Sequence, residues 1–154
     1  IGEGMFLVEA KHEGYHPIIH NRTCILINDI GLIVIDKIEN VTKETKLDIL
    51  WHLDPDCYYD SINKIIANGN QEITYWSSEE ISSNVNSHEH SINSWVTDKI
   101  SSKIESKLLI NTMTTSEDKT ILNTFGYNGK IECAISGNNV MCIYDGDEME
   151  IKIR

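Results

Sequence analysis

From Thr45 to Leu53 the chain alternates with a period of two: Leu47, Ile49, Trp51 and Leu53 fall on one side, and Asp48, Leu50 and His52 on the other. That period belongs to a β-strand with one face in a core. Runs of the same kind recur at Met5–Ala10, Thr23–Asn28, Leu32–Ile38, Ile62–Ala67, Glu72–Trp76, Ser102–Met113 and Thr120–Tyr127. Three more, at 129–136, 138–145 and 148–154, read as a terminal meander. Between them stand Gly137-Asn138-Asn139 and Asp145-Gly146-Asp147, whose residue types suit tight turns.

The segment 23–38 is the clearest hairpin, because Asp29 and Gly31 in "NDIG" tolerate the backbone angles of a short reversal. Glu13-Gly14 suits a reversal after the first strand. Asn68-Gly69-Asn70 separates two further runs. A helix over Asp60–Ala67 would use Ile62, Ile65 and Ile66, but β-branched residues and the following Asn-Gly favour a strand. Residues 77–94 are polar and poor in β-formers, so a long loop or irregular strands are expected there. Pro17 and Pro55 lie at the mouths of strands, not inside them. The expected fold is an all-β, antiparallel two-layer sandwich of about ten to twelve short strands over 1–154, since no crossover helices support a βαβ arrangement.

Composition narrows the classes of partner. The chain has 154 residues, 40% of them apolar, enough for one domain with its own core. No run approaches the roughly 18 apolar residues of a membrane span, so no membrane partner is expected. Lys and Arg total 13 against 24 Asp and Glu, giving a net charge of −11. Nucleic acid is therefore not an expected partner, because its binding rests on neutralising phosphates. The same field opposes a firm grip on a highly sulfated polysaccharide by this chain alone. Cys24, Cys57, Cys133 and Cys142 have no short zinc-type spacing. Buried free thiols are the leading expectation for them, and disulfides the alternative.

His12, His16 and His20 stand four residues apart, but Gly14 and Pro17 interrupt any helix that would gather them. A metal site would need a loop folding all three onto one ion, whereas strand-end residues or members of a ligand groove need no such coincidence. His88 and His90 raise the same question and lack the spacing of HExxH. "WHLDPDCYY" sets Trp51 and Tyr58, apolar surfaces with hydrogen-bonding edges, beside His52, Asp54 and Asp56. That set suits a sugar-contacting surface. A carboxyl pair for glycoside hydrolysis is the sharper reading, and a core tryptophan before a loop the plainer one.

The segment Val8–Asp56, "VEAKHEGY…HNRTCILINDIGLIVIDKIE…KLDILWHLDPD", resembles the C-terminal β-domain of the heparinase II/III-like polysaccharide lyases. The matching positions are His12, Gly14 and Tyr15 of an "HxGY" motif, His20 and Arg22 of an "HxR" strand, Val34 and Asp36 of a "VxD" strand, and Trp51, His52, Leu53, Pro55 and Asp56. A weaker likeness runs through "SWVTDKISSKIESKLL" around Trp95. The resemblance implies a C-terminal part of a larger lyase, and Ile1 reads as a cut edge of such a chain. Its partners would be an N-terminal helical toroid of the parent chain and an acidic polysaccharide held between the two. It also implies a periplasmic or secreted setting. Such enzymes cleave by β-elimination: a neutralised uronate carboxylate acidifies C5, a Tyr or His takes the proton, and a protonated Tyr or His assists the leaving oxygen.

The family's catalytic tyrosine and first histidine lie in the helical part, and its β-domain histidine and metal ligands precede "HxGY". No catalytic or metal role is therefore assigned here, to His20 or to any other residue. No cofactor is expected in this chain, with zinc allowed in the parent protein. His12, Tyr15, Arg22, Trp51, His52 and Tyr58 are the candidates for substrate contact or framework. The chain is expected to be inactive alone. A stand-alone carbohydrate-binding or protein-interaction module is the main alternative, and a histidine-based metal hydrolase a third.

Overall fold

A computed structural model describes residues 4–79, 83–86, 95–96, 104–137 and 139–153. Among these residues every regular element is a strand. They are β1 (Met5–Tyr15), β2 (Ile18–Ile27), β3 (Gly31–Glu39), β4 (Thr45–His52), β5 (Tyr58–Asp60), β6 (Ile65–Asn68), β7 (Gln71–Ser77), β8 (Ser83–Asn86), β9 (Trp95–Val96), β10 (Ile104–Glu105), β11 (Lys107–Thr115), β12 (Lys119–Tyr127), β13 (Ile131–Ser136), β14 (Asn139–Tyr144) and β15 (Asp147–Lys152). All pairings are antiparallel. A seven-stranded sheet runs β1-β2-β3-β12-β7-β6-β5. Beside it are three-stranded sheets β4-β11-β8 and β13-β14-β15, and the pair β10-β9.

The all-β antiparallel sandwich expected from the alternating pattern is what the chain forms, with the large sheet covered on both faces. On one face Ile25, Ile27, Ile33, Ile35 and Leu122 meet Ile131, Val140 and Ile151 of the terminal meander. On the other, Ile38 and Ile121 meet Ile49 of β4, while Tyr59, Ile66 and Tyr75 meet Leu109 of β11. β3 lies between these two cores, so four consecutive residues, Ile33 to Asp36, are buried. A strand covered on both sides loses its alternation and reads as a continuous apolar run.

The 23–38 hairpin forms as expected. Asp29 (φ 61°) and Gly31 (φ 147°) take the backbone angles its turn requires, and Ile27 pairs with Gly31. Two expectations need correcting. β1 does not reverse at Glu13-Gly14. It continues to Tyr15 with a shift of register after His12, and turns back through a cis His16–Pro17 bond. An edge strand can absorb this irregularity because only one of its sides is tied to a neighbour. The 62–67 run is also shorter than expected: Ile62 is exposed in a turn, and β6 starts at Ile65. The Asp60 carboxylate accepts from the backbone N–H groups of Ile62 and Asn63 and so holds that turn. Within 77–94, β8 occupies 83–86, while His88 and His90 lie outside the described residues.

Candidate functional site

Counting back along the β2–β3 hairpin from its turn brings Arg22 opposite Asp36 and His20 opposite Ile38. Asp36 is fully buried, and a lone carboxylate there would be strongly disfavoured. Arg22 offsets this with a fork: Nε donates to Oδ1 at 2.6 Å and Nη2 to Oδ2 at 3.0 Å. His20 Nε2 also lies 2.6 Å from Oδ1. Burial pushes the Asp36 carboxyl up, but the hydrogen bonds from His20 and Arg22 and the guanidinium charge outweigh it and hold the group below its usual range. Since Asp36 is ionised and can only accept, His20 must carry its proton on Nε2. Burial likewise works against the Arg22 charge, and the bond to Asp36 more than restores it. The guanidinium also stands 5.0 Å over the Trp51 ring, which meets Phe125 edge-on at 5.0 Å. Arg22 is thus fixed by a carboxylate and by an aromatic face from a different sheet.

The "HxGY" residues adjoin this cluster. His12 pairs with His20 across β1 and β2, and its ring lies 5.2 Å from that of Tyr15. A Cβ at Gly14 would sit 2.5 Å from the His12 ring, so a side chain there would require that ring to swing aside. The histidine, glycine and tyrosine form one packed unit at the sheet edge.

Alternation and register place Phe6, Val8, Ala10 and His12 of β1 on the same face as Leu26, Cys24, Arg22 and His20 of β2, and as Leu32, Val34, Asp36 and Ile38 of β3. Along each of these rows burial falls toward β1. Val34 is 1% exposed, Cys24 is half-buried, and Val8 is 65% exposed. The row from Leu32 through Leu26 ends at Phe6, 60% exposed. The β4–β11 layer covers the middle of this face and leaves an apolar shoulder on β1 and β2, beside the histidines and Arg22.

His12 and Tyr15 are thus ring neighbours at the sheet edge, with His12 opposite His20, while Arg22 lies between Asp36 and the Trp51 ring. His52 is exposed on the opposite face of β4 from Trp51. Tyr58 is exposed on β5, with Lys107 Nζ 5.8 Å from its ring centre. Neither joins the cluster. Sequence reasoning gave no role to His20, which the structure makes a principal partner of Asp36. It also passed over a buried set in which the Tyr75 hydroxyl lies 2.7 Å from Asn123 Oδ1 and 3.1 Å from Asn111 Oδ1. The signal for His20 was its place two residues before Arg22, on the same face.

The Arg22 guanidinium, held by Asp36, can anchor an anionic group. Burial pushes the Tyr59 phenol up to about 12 and also raises Tyr75, so neither suits a base at neutral pH. Among the described residues no three His, Cys, Asp or Glu side chains stand close enough to hold a metal.

The heparinase II/III-like, C-terminal family matches residues 2–130, most of the chain. The chain belongs to that family. Solved structures of heparinases agree on the fold. A heparinase III gene product aligns at a TM-score of 0.76 with 8% identity, a second heparinase III at 0.74 with 13%, and the heparan sulfate lyase HepC from Pedobacter heparinus at 0.74 with 12%. In each case the alignment covers 99% of this chain and 26% of the other. The chain thus spans about a quarter of the length of these heparinases. No curated protein matches it by sequence. The family match stops at residue 130, so the terminal meander lies outside it, whereas the structural alignments extend across it.

Proposed function

We propose that this chain is the β-sheet part of a larger heparinase II/III-like lyase, that it packs against a helical domain of the same protein, and that it completes a cleft for an acidic polysaccharide without turning over substrate alone. The observation that carries this reading is the uncovered shoulder of the main sheet. Phe6, Val8 and Leu26 offer an apolar surface to a partner domain, and His12, Tyr15 and Arg22 line its border. Arg22, held rigid by Asp36 and Trp51, is a preorganised donor for a uronate carboxylate. The net charge of −11 supports inactivity in isolation, because it repels a polyanion.

The test is incubation of the isolated chain with uronate-containing polysaccharides while following the absorbance of unsaturated products. No turnover is expected, and sustained turnover would overturn the assignment. Exposed Tyr58 near Lys107 favours one other reading, a stand-alone glycan-binding module. Tight glycan binding by the isolated chain that is lost in Tyr58→Ala would establish that module in place of the cleft wall.

A further inference from the structure

The terminal meander carries a feature that the lyase reading does not use. Cys133 on β13 and Cys142 on β14 are register partners, directly opposite across the pair. Their sulfurs are 2.6 Å apart, and both side chains point into the core shared with β2, β3 and β12. Directly opposed residues of antiparallel strands have Cα atoms about 4.5–5.5 Å apart, within the roughly 4.4–6.8 Å that a disulfide spans. Two cysteines serving only as small hydrophobes need no such alignment.

We propose that Cys133 and Cys142 are a modification site that closes to a cross-strand disulfide by exchange with a low-molecular-weight disulfide. The contact with Cys133 favours the Cys142 thiolate as the attacking group. That thiolate attacks one sulfur of the small disulfide, forms a mixed disulfide and releases one thiol. Cys133 then gives its proton to water and attacks the Cys142 sulfur, expelling the second thiol. Two protein thiols are oxidised and one external disulfide is reduced to two thiols. A cavity of about 290 Å³ lined by Trp76, Met141, Glu148 and both cysteines offers a route to the pair. The product bond fixes β13 to β14 in the register they already hold. It persists in an oxidising compartment and opens in a reducing one.

The experiment uses the chain with Cys24→Ser and Cys57→Ser, so that one pairing is possible, treated with oxidised glutathione without denaturant. The expected result is a mass lower by two hydrogens, a single linked peptide pair joining Cys133 to Cys142, reversal by dithiothreitol, and a melting temperature a few degrees higher in the oxidised form. The unsubstituted chain, mapped the same way, gives the same linked pair even if the double variant folds poorly. Stable glutathione adducts without closure would overturn the proposal, as would two thiols still free to alkylate, or closure only after unfolding.

Discussion

At the scale of single residues, Asp36 decides most of what happens around it. Its fully buried carboxylate accepts from both Arg22 and His20. Removing one partner of such a group leaves an uncompensated charge, which costs about 3–5 kcal/mol. Arg22→Ala is therefore expected to lower unfolding stability by roughly that amount, measured by denaturant titration at neutral pH. A pH dependence follows from the same contacts. Because the folded state holds Asp36 below the ordinary carboxylate value of about 3.9, its contribution is complete above that value and is lost as pH falls through the depressed one. In a titration of stability downward from neutral pH, the unsubstituted chain should lose more than Asp36→Asn. Parallel curves would show that the acid sensitivity lies elsewhere.

At the scale of elements, the β2–β3 turn sets the register that creates the cluster. Gly31 has a φ of 147°, and a Cβ there would meet the Phe125 carbonyl oxygen at 2.1 Å. Gly69, in the β6–β7 turn, also has positive φ, but nothing lies within 4 Å of its missing Cβ. Gly69→Ala should cost only the intrinsic penalty of about 1–2 kcal/mol. Gly31→Ala adds a collision with backbone that cannot swing aside, so its melting temperature should fall well below that of Gly69→Ala. Equal losses would mean that the strand pair shifts freely.

The same hairpin was the most legible part of the sequence, because "NDIG" gives both the turn and, by counting, the opposition of Arg22 to Asp36. The run "LIVI" also carried the sign of a strand covered on both faces, although alternation elsewhere pointed to two layers. β1 beyond Ala10 was not legible. Lys11, His12 and Glu13 are all exposed on an edge strand, and a strand wet on both faces has no hydrophobic period to read. β5, three residues long, is too short for a period. The site was readable as motif positions, while the bond from His20 to Asp36 reaches diagonally across two strands, which residue spacing along the chain does not reveal.

At the scale of the whole molecule, the gradient of burial across the main sheet separates folding from assembly. Val34 and Val8 share a face two strands apart, yet one is 1% exposed and the other 65%. A charge at Val34 would enter the core, whereas a charge at Val8 meets water in the isolated chain. Val8→Asp is therefore expected to change the stability of the isolated chain by no more than about 0.5 kcal/mol, as for other surface substitutions. In the proposed larger lyase the same side chain would be covered by the helical domain. Covering an aliphatic side chain of this size contributes about 1.5–3 kcal/mol, and placing an unpaired carboxylate there forfeits that gain and adds a desolvation cost. Unchanged melting of the isolated chain, together with reduced polysaccharide cleavage and faster proteolysis between domains in the full-length protein, is the expected combination. Wild-type cleavage and protease resistance in full-length Val8→Asp would show that this shoulder faces solvent in the intact lyase, and the cleft wall would then have to be sought on another face.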